Sequence, residues 1–384
     1  MSVPSSRRSA AVVVLLAVLL ALAGPASATP RHASPPGSGA ADAGLLVIGH
    51  RGASGHRPEH TLAAYELAAR MGADHVECDV VSTSDGVLVC RHENDVSGTT
   101  DVADRPEFAD RRTTKVIDGV ELTGWFTEDF TLEELRTLRA VERLPDVREE
   151  NTLYDGLYAV PTLEEYLDLR ADLSRELRRE VGAYIETKHP TYFDSIGLSL
   201  EEPLLAALAA AGLDRRDSPV FLQSFETANL RELDAAGVRV PLVQLLSASG
   251  APADLVAAGD PRTYADLSTA AGLAEIATYA DGVGPEKNQV IPRDADGALG
   301  EPTSFVDDAH AVDLLVHPYT FRNENTFLPA DLREGAAPDD HGRALEEQLL
   351  FWATGIDGMF TDDPDTGVVS RQLFEDGVVL PDAA

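Results

Sequence analysis

Positive charge is scarce in this chain: 31 Lys and Arg stand against 65 Asp and Glu, a formal net charge of −34. Such a balance has no general attraction for nucleic acid or an anionic bilayer. Any phosphate the protein handles must be met by a local cluster of cations or by a metal. Cysteine is scarcer still, with Cys78 and Cys90 alone, too few for a disulfide framework. The long apolar run "AAVVVLLAVLLALAG" (10–24) is too short to span a bilayer comfortably. Arg7 and Arg8 precede it and the small-x-small triplet Ala26-Ser27-Ala28 follows, so residues 1–28 read as a signal peptide, with no membrane anchor left after cleavage. "SRRSAAV" partly matches a twin-arginine signal but lacks the bulky residues expected after the arginines, leaving the export route open. Residues 29–43, rich in Pro, Gly and Ala, read as a flexible linker to one domain over 44–384.

From residue 45 onward the pattern is regular. Short β-rich runs, "LLVIGH" (45–50), "HVECDV" (75–80), "AYIETK" (183–188), "VFLQSF" (220–225), "PLVQLL" (241–246), "ADGVGP" (280–285), "LLVHPY" (314–319) and "GMFTDD" (358–363), alternate with helix-like segments. Two of those segments close on Gly72 and Gly212, suited to left-handed helix caps. Eight strands alternating with helices predict a (β/α)₈ barrel. A doubly wound open sheet shares the alternation but usually carries a Gly-rich loop after its first strand, and none is present. "GVLVCRHE" (86–93) breaks the pattern. Only "STSDG" separates it from the second strand, too little for a parallel crossover, so it must return antiparallel. A turn centred on Asp85 sets residue 79 opposite residue 91 and brings His92 back beside Glu77 and Asp79. The same register staggers Cys78 and Cys90, which are therefore expected as small buried residues. The polar interval 95–160 reads as an insertion above the barrel mouth, with Trp125, Phe126 and Phe130 forming its own small core.

Active sites of such barrels lie at the C-terminal strand ends. Here those ends carry His50-Arg51, Glu77 and Asp79, Glu186 and Lys188, Gln223, His317 and Asp362, and the returning hairpin adds His92. Glu77 and Asp79 are two residues apart, as are Glu186 and Lys188, so each pair points to one face of its strand. Three carboxylates about 5 Å apart repel by roughly 10 kcal/mol in total at an effective dielectric of ~20, so protons or a metal must neutralise them. Oxygen-only ligands favour calcium, or magnesium, over zinc. With Arg51, Lys188 and a divalent ion the site would hold three positive centres for a phosphate, and His50 and His92 can exchange protons beside it. His75, His310 and His341 are expected to be structural.

The blocks "HRGASGHRPEHT", "GADHVECDVVSTSDGVLVCRHE", "AYIETKHP", "FLQSF", "YADGVGP", "LLVHPYT" and "GMFTDDPD" occur in an order that resembles glycerophosphodiester phosphodiesterases, most closely their periplasmic and secreted branch. The resemblance runs from about residue 45 to 365, with gaps in the insertion and around 250–275. It implies a (β/α)₈ barrel that hydrolyses glycerophosphodiesters to sn-glycerol 3-phosphate and an alcohol. It further implies His50 and His92 as the acid/base pair, Glu77, Asp79 and Glu186 as ligands of a metal, and Arg51 and Lys188 as phosphate holders. Attack by the glycerol 2-hydroxyl would give a cyclic phosphate that water opens. Two departures stand out: His92-Glu93 replaces the usual His-Asp, and Pro58-Glu59-His60-Thr61 replaces Pro-Glu-Asn-Thr. Glu93 is expected to point away from the face His92 uses, His60 to cap the following helix, and Glu59 to orient Arg51. His317 and Tyr319 are expected to line the substrate pocket. Two alternatives stay open: release of glycerol phosphate from wall teichoic acid, and non-catalytic capture of a phosphodiester.

Overall fold

The structure, a computed structural model, describes residues 44–378; the expected signal peptide and linker lie outside the described residues. The strands, in chain order, are β1 (Leu46–Gly49), β2 (His75–Ser82), β3 (Leu88–Cys90), β4 (Thr113–Ile117), β5 (Val120–Gly124), β6 (Gly182–Thr187), β7 (Val220–Ser224), β8 (Leu242–Leu246), β9 (Gly282–Pro285), β10 (Leu315–Val316) and β11 (Gly358–Thr361). Eight of them run parallel in the order β10-β9-β8-β7-β6-β2-β1-β11. Backbone hydrogen bonds from Asp357 N–H to Val316 O and from Phe360 N–H to Pro318 O, both 3.0 Å, close the remaining seam. The result is the expected (β/α)₈ barrel.

The strands are rich in apolar residues because both faces are covered, one by helices and one by the barrel interior, and Glu77, Asp79, Glu186 and Gln223 interrupt them. Every residue of β2, β6, β7 and β8 is buried. Ile48, Tyr184, Phe221, Val243 and Phe360 fill the interior as one cluster. Helices begin and end on local signals. In Leu62–Met71, Thr61 accepts from Ala64 N–H at the start and Gly72 closes the end in the left-handed region. Leu163–Leu177 opens on a reciprocal cap between Thr162 and Glu165.

β3 returns antiparallel to β2 with Val80 opposite Cys90 and Val81 opposite Val89, and Arg91 N–H donates to Asp79 O, so residue 79 does face residue 91. The expectation for the cysteines is corrected. They are staggered by two residues as reasoned, yet they form a Cys78–Cys90 disulfide with Cα atoms 5.5 Å apart. A diagonal pair in an antiparallel ribbon usually lies ~7–8 Å apart, and twist shortens one of the two diagonals. Pairing ends at Cys90, so no further ladder holds the strands at the regular spacing.

The segment 95–160 is built of short 3₁₀ turns, the β4–β5 hairpin and one helical turn, Leu132–Leu135. Trp125, Phe126 and Phe130 are buried, Phe130 edge-on to Phe108 and Trp125 Nε1 donating to Phe108 O at 2.7 Å. Among the described residues, however, the insertion has no separate core: Phe108, Trp125 and Phe130 belong to the same apolar cluster as Val81 and Leu88 of the β2–β3 hairpin. The segment is tied to the hairpin below by Ser84 N–H to Phe130 O and by Thr127 Oγ1 to Ser82 O.

Candidate active site

Strand register assembles the site. Asp79 lies opposite Glu186 across β2 and β6. Pairing of Ile48 with His75 and of Gly49 with Val76 carries His50 to the level of Glu77, while Gly49 opposite Thr361 carries it to Asp362. The chain then turns sharply. Arg51 takes φ 57° and Gly52 φ 93°, and Arg51 N–H donates to Glu77 Oε2 at 2.9 Å. A Cβ on Gly52 would stand 2.6 Å from the Ala64 backbone, so the close approach of helix and strand end requires glycine.

Glu77, Asp79 and Glu186 each offer one oxygen within 4.8 Å of the others, all buried. Asp79 Oδ1 is buried with no hydrogen-bond partner, and the donor set is oxygen throughout. Both features fit a hard divalent cation. In the protein alone, protons do part of the neutralising. Burial, then the charges of Asp79 and Glu186, hold Glu77 well above the usual carboxylate range. Burial pushes Glu186 up to about 8, with Lys188 opposing. For Asp79 burial works the same way, but Lys188 and His60 outweigh it and hold the carboxyl well below its usual range. Lys188 Nζ sits 2.7 Å from Glu186 and 3.8 Å from Asp79, while Gln223 Nε2 donates to Glu77 at 2.8 Å.

Each candidate acid/base histidine is held through Nδ1 by a carboxylate: His50 by Asp362 Oδ1 and His92 by Glu93 Oε2, both at 2.5 Å. Burial and then Arg51 lower His50 to about 4 against the pull of Asp362. Burial, Arg51 and Lys188 lower His92 well below the usual value. A neutral imidazole that donates from Nδ1 to a carboxylate leaves Nε2 free as a base, and the same carboxylate stabilises the imidazolium once a proton arrives.

Three expectations are corrected. Glu93 does not point away from His92 but binds it; residues 91–94 have left the strand ladder, so strand alternation no longer separates neighbours. His60 does not cap the helix, a role Thr61 takes. The His60 ring is buried, with Nε2 3.0 Å from Asp79 Oδ2 and Nδ1 2.8 Å from Tyr65 Oη, because φ 52° turns it inward. His317 is absent from the cavity wall. It lies one layer deeper in the barrel, Nδ1 3.0 Å from Tyr184 Oη, while Tyr319, two residues on along the same face, reaches the cavity. Glu59 does bind Arg51, Oε2 to Nη1 at 3.1 Å.

A cavity of about 360 Å³ opens over this cluster and is lined by His50, Arg51, Glu77, His92, Glu186 and Lys188. Phe225, Tyr319 and Phe327 add aromatic faces. Sequence reasoning placed Asp362 at a strand end without a role, and gave none to Arg143, Arg148 or Arg322. The "FTDD" block was the signal available for Asp362; the arginines had none, since no periodicity marks their loops.

A family model described as the glycerophosphoryl diester phosphodiesterase family matches residues 50–366. A glycerophosphodiester phosphodiesterase of Arabidopsis thaliana (GDPD6) is 36% identical over 327 residues, covering 82% of each chain. One from Haemophilus influenzae is 28% identical over 375 residues, covering 92% of this chain and 97% of the relative. Among solved structures, one described as a glycerophosphoryl diester phosphodiesterase of Silicibacter pomeroyi has the same fold, with a TM-score of 0.60 at 22% identity over 87% of this chain and 95% of that one. An Oleispira antarctica phosphodiesterase, solved with the product sn-glycerol-3-phosphate, gives 0.56 at 19% identity over 86% and 97%.

Proposed function

The chain belongs to the glycerophosphoryl diester phosphodiesterase family and is an enzyme that hydrolyses glycerophosphodiesters, and we propose that it does so with His50 and His92 as acid/base pair on small diesters such as glycerophosphocholine. The observation that carries this reading is the pair of imidazoles, each bound at Nδ1 by a carboxylate, on one cavity with Arg51 and Lys188. Arg51 and Lys188 hold the phosphate oxygens and orient the diester. One imidazole Nε2 takes the proton of the glycerol 2-hydroxyl as that oxygen attacks phosphorus, and the other delivers a proton to the departing alcohol oxygen. The cyclic phosphate is then opened by water with the two roles exchanged. An anionic substrate beside the histidines raises their proton affinity, so a group lowered to about 4 in the free protein can become the acid in the complex.

Glu77, Asp79 and Glu186 are the residues to hold a divalent cation, calcium by preference given all-oxygen ligands and the expected export, with magnesium as the alternative. The ion would supply charge stabilisation at the phosphate. The signal-like N-terminus supports a secreted or periplasmic location, and no helix among the described residues is long and apolar enough to cross a membrane. The test is release of sn-glycerol 3-phosphate from glycerophosphocholine by wild type, His50→Ala and His92→Ala, with and without chelator. Each substitution should cost about 10²- to 10⁴-fold in kcat. Near wild-type turnover in either variant would end the acid/base assignment.

A further inference from the structure

The carboxylates that hold the two histidines are themselves held, from outside the cavity, by the 95–160 insertion. Glu93 binds His92 through Oε2 and receives Arg143 Nη2 on Oε1 at 2.6 Å. Arg143 Nε and Nη2 also meet the two oxygens of Glu59, each at 2.7 Å, and Glu59 holds the phosphate-facing Arg51. On the other side, Asp362 binds His50 through Oδ1 and receives Arg148 Nη2 at 2.6 Å and Arg322 Nε at 2.7 Å on Oδ2. Arg148 is buried, its Nε on Glu324 at 2.5 Å and its Nη1 donating to Ser54 O at 3.0 Å. Neither Arg143 nor Arg148 lines the cavity, so neither is placed to touch substrate.

We infer that Arg143 and Arg148 are positioning residues, the outer members of two His–carboxylate–Arg relays, and that the insertion is thereby a working part of the active site. The inference rests on the acid/base reading of His50 and His92. A carboxylate bound to an imidazole by one oxygen can still rotate about its own side chain; a guanidinium on the other oxygen fixes its plane, and so the direction of imidazole Nε2. A planar fork does this where a lysine ammonium, a point charge, does not. The two relays differ in reserve. Asp362 keeps Arg322 if Arg148 is lost, whereas Arg143 is the cation on Glu93 and also the second one on Glu59. Loss of Arg143 therefore costs more.

The experiment compares Arg143→Met, Arg143→Lys and Arg148→Lys with wild type on glycerophosphocholine and on a glycerophosphodiester whose leaving alcohol is 4-nitrophenol. Arg148→Lys is used because an apolar residue would strand buried Glu324; thermal unfolding checks that each variant is folded. Arg143→Met should lower kcat on glycerophosphocholine about 10- to 100-fold, with Arg143→Lys intermediate and Arg148→Lys less affected. Because 4-nitrophenolate departs without a proton, the arginine serving the general acid should lose much less on that ester. A general loss of structure would lower both substrates alike. Turnover within twofold of wild type in Arg143→Met and Arg148→Lys, or equal losses on both esters for both arginines, would overturn the inference while inactive His50→Ala and His92→Ala left the acid/base reading standing. Active histidine variants would remove that reading, and the inference with it.

Discussion

Replacing Glu186 by glutamine should stabilise the ion-free protein while disabling the enzyme. Its carboxylate lies within 4.8 Å of oxygens from Glu77 and Asp79; Glu77, held well above the usual carboxylate range, adds no charge, and Asp79 repels it by about 3 kcal/mol at an effective dielectric of ~20. Lys188 at 2.7 Å returns about 6 kcal/mol on the same scale. The charges together favour ionisation by about 3 kcal/mol, and burial, at several kcal/mol for a carboxylate taken out of water, outweighs them. That is why the carboxyl is pushed up to about 8. Below pH ~4.5 it is protonated in both folded and unfolded chains and adds nothing. As pH rises from there toward 8 only the unfolded chain releases the proton, and the folded state loses about 1.4 kcal/mol per pH unit. Glutamine does not titrate. In chelator, Glu186→Gln should therefore exceed wild type by up to about 3 kcal/mol at pH 7 and by little at pH 5. Calcium should reverse the order once it reaches about one thousand times its dissociation constant, where wild type gains about 4.1 kcal/mol and the variant has lost a ligand. Urea unfolding at both pH values, with EDTA and with calcium, measures all of this. A variant less stable than wild type in EDTA at pH 7, or an advantage undiminished at pH 5, would refute the reasoning.

Two more outcomes come from the barrel itself. His75 is buried with both ring nitrogens unpartnered and pushed down to about 3, chiefly by burial. Above pH ~6.5 it is neutral in both states; as pH falls toward 4 the unfolded chain gains a proton that the folded one refuses. Relative to His75→Leu, wild type should lose about 3 kcal/mol between pH 6.5 and 4, and parallel pH dependences in urea unfolding would contradict this. The Cys78–Cys90 bridge closes a loop with a sequence separation of 12, so reducing it, or replacing both cysteines by alanine, should cost about 3 kcal/mol. Urea midpoints of wild type that do not move on adding reductant would show the bridge to be absent.

The barrel was legible in the residues because strands buried on both faces are mostly apolar, and eight such runs alternate with helices. The hairpin register was legible because "STSDG" is too short to allow anything but a tight reversal, which set residue 79 against 91. Strand alternation likewise put Glu77 with Asp79 and Glu186 with Lys188 on shared faces. These are local consequences of backbone geometry. What failed lay where that geometry ends. Glu93 follows the last paired residue of β3, His60 sits at a positive φ, and the cysteines lie across a diagonal that only the ribbon's twist closes. The partnership of His50 with Asp362, 312 residues away, exists only once β11 closes the barrel against β1. Arg143 and Arg148 come from irregular loops, where no repeat ties sequence position to direction in space. Pattern carries the elements and their faces; which charges meet across them is decided by chain closure, a property no short window of sequence contains.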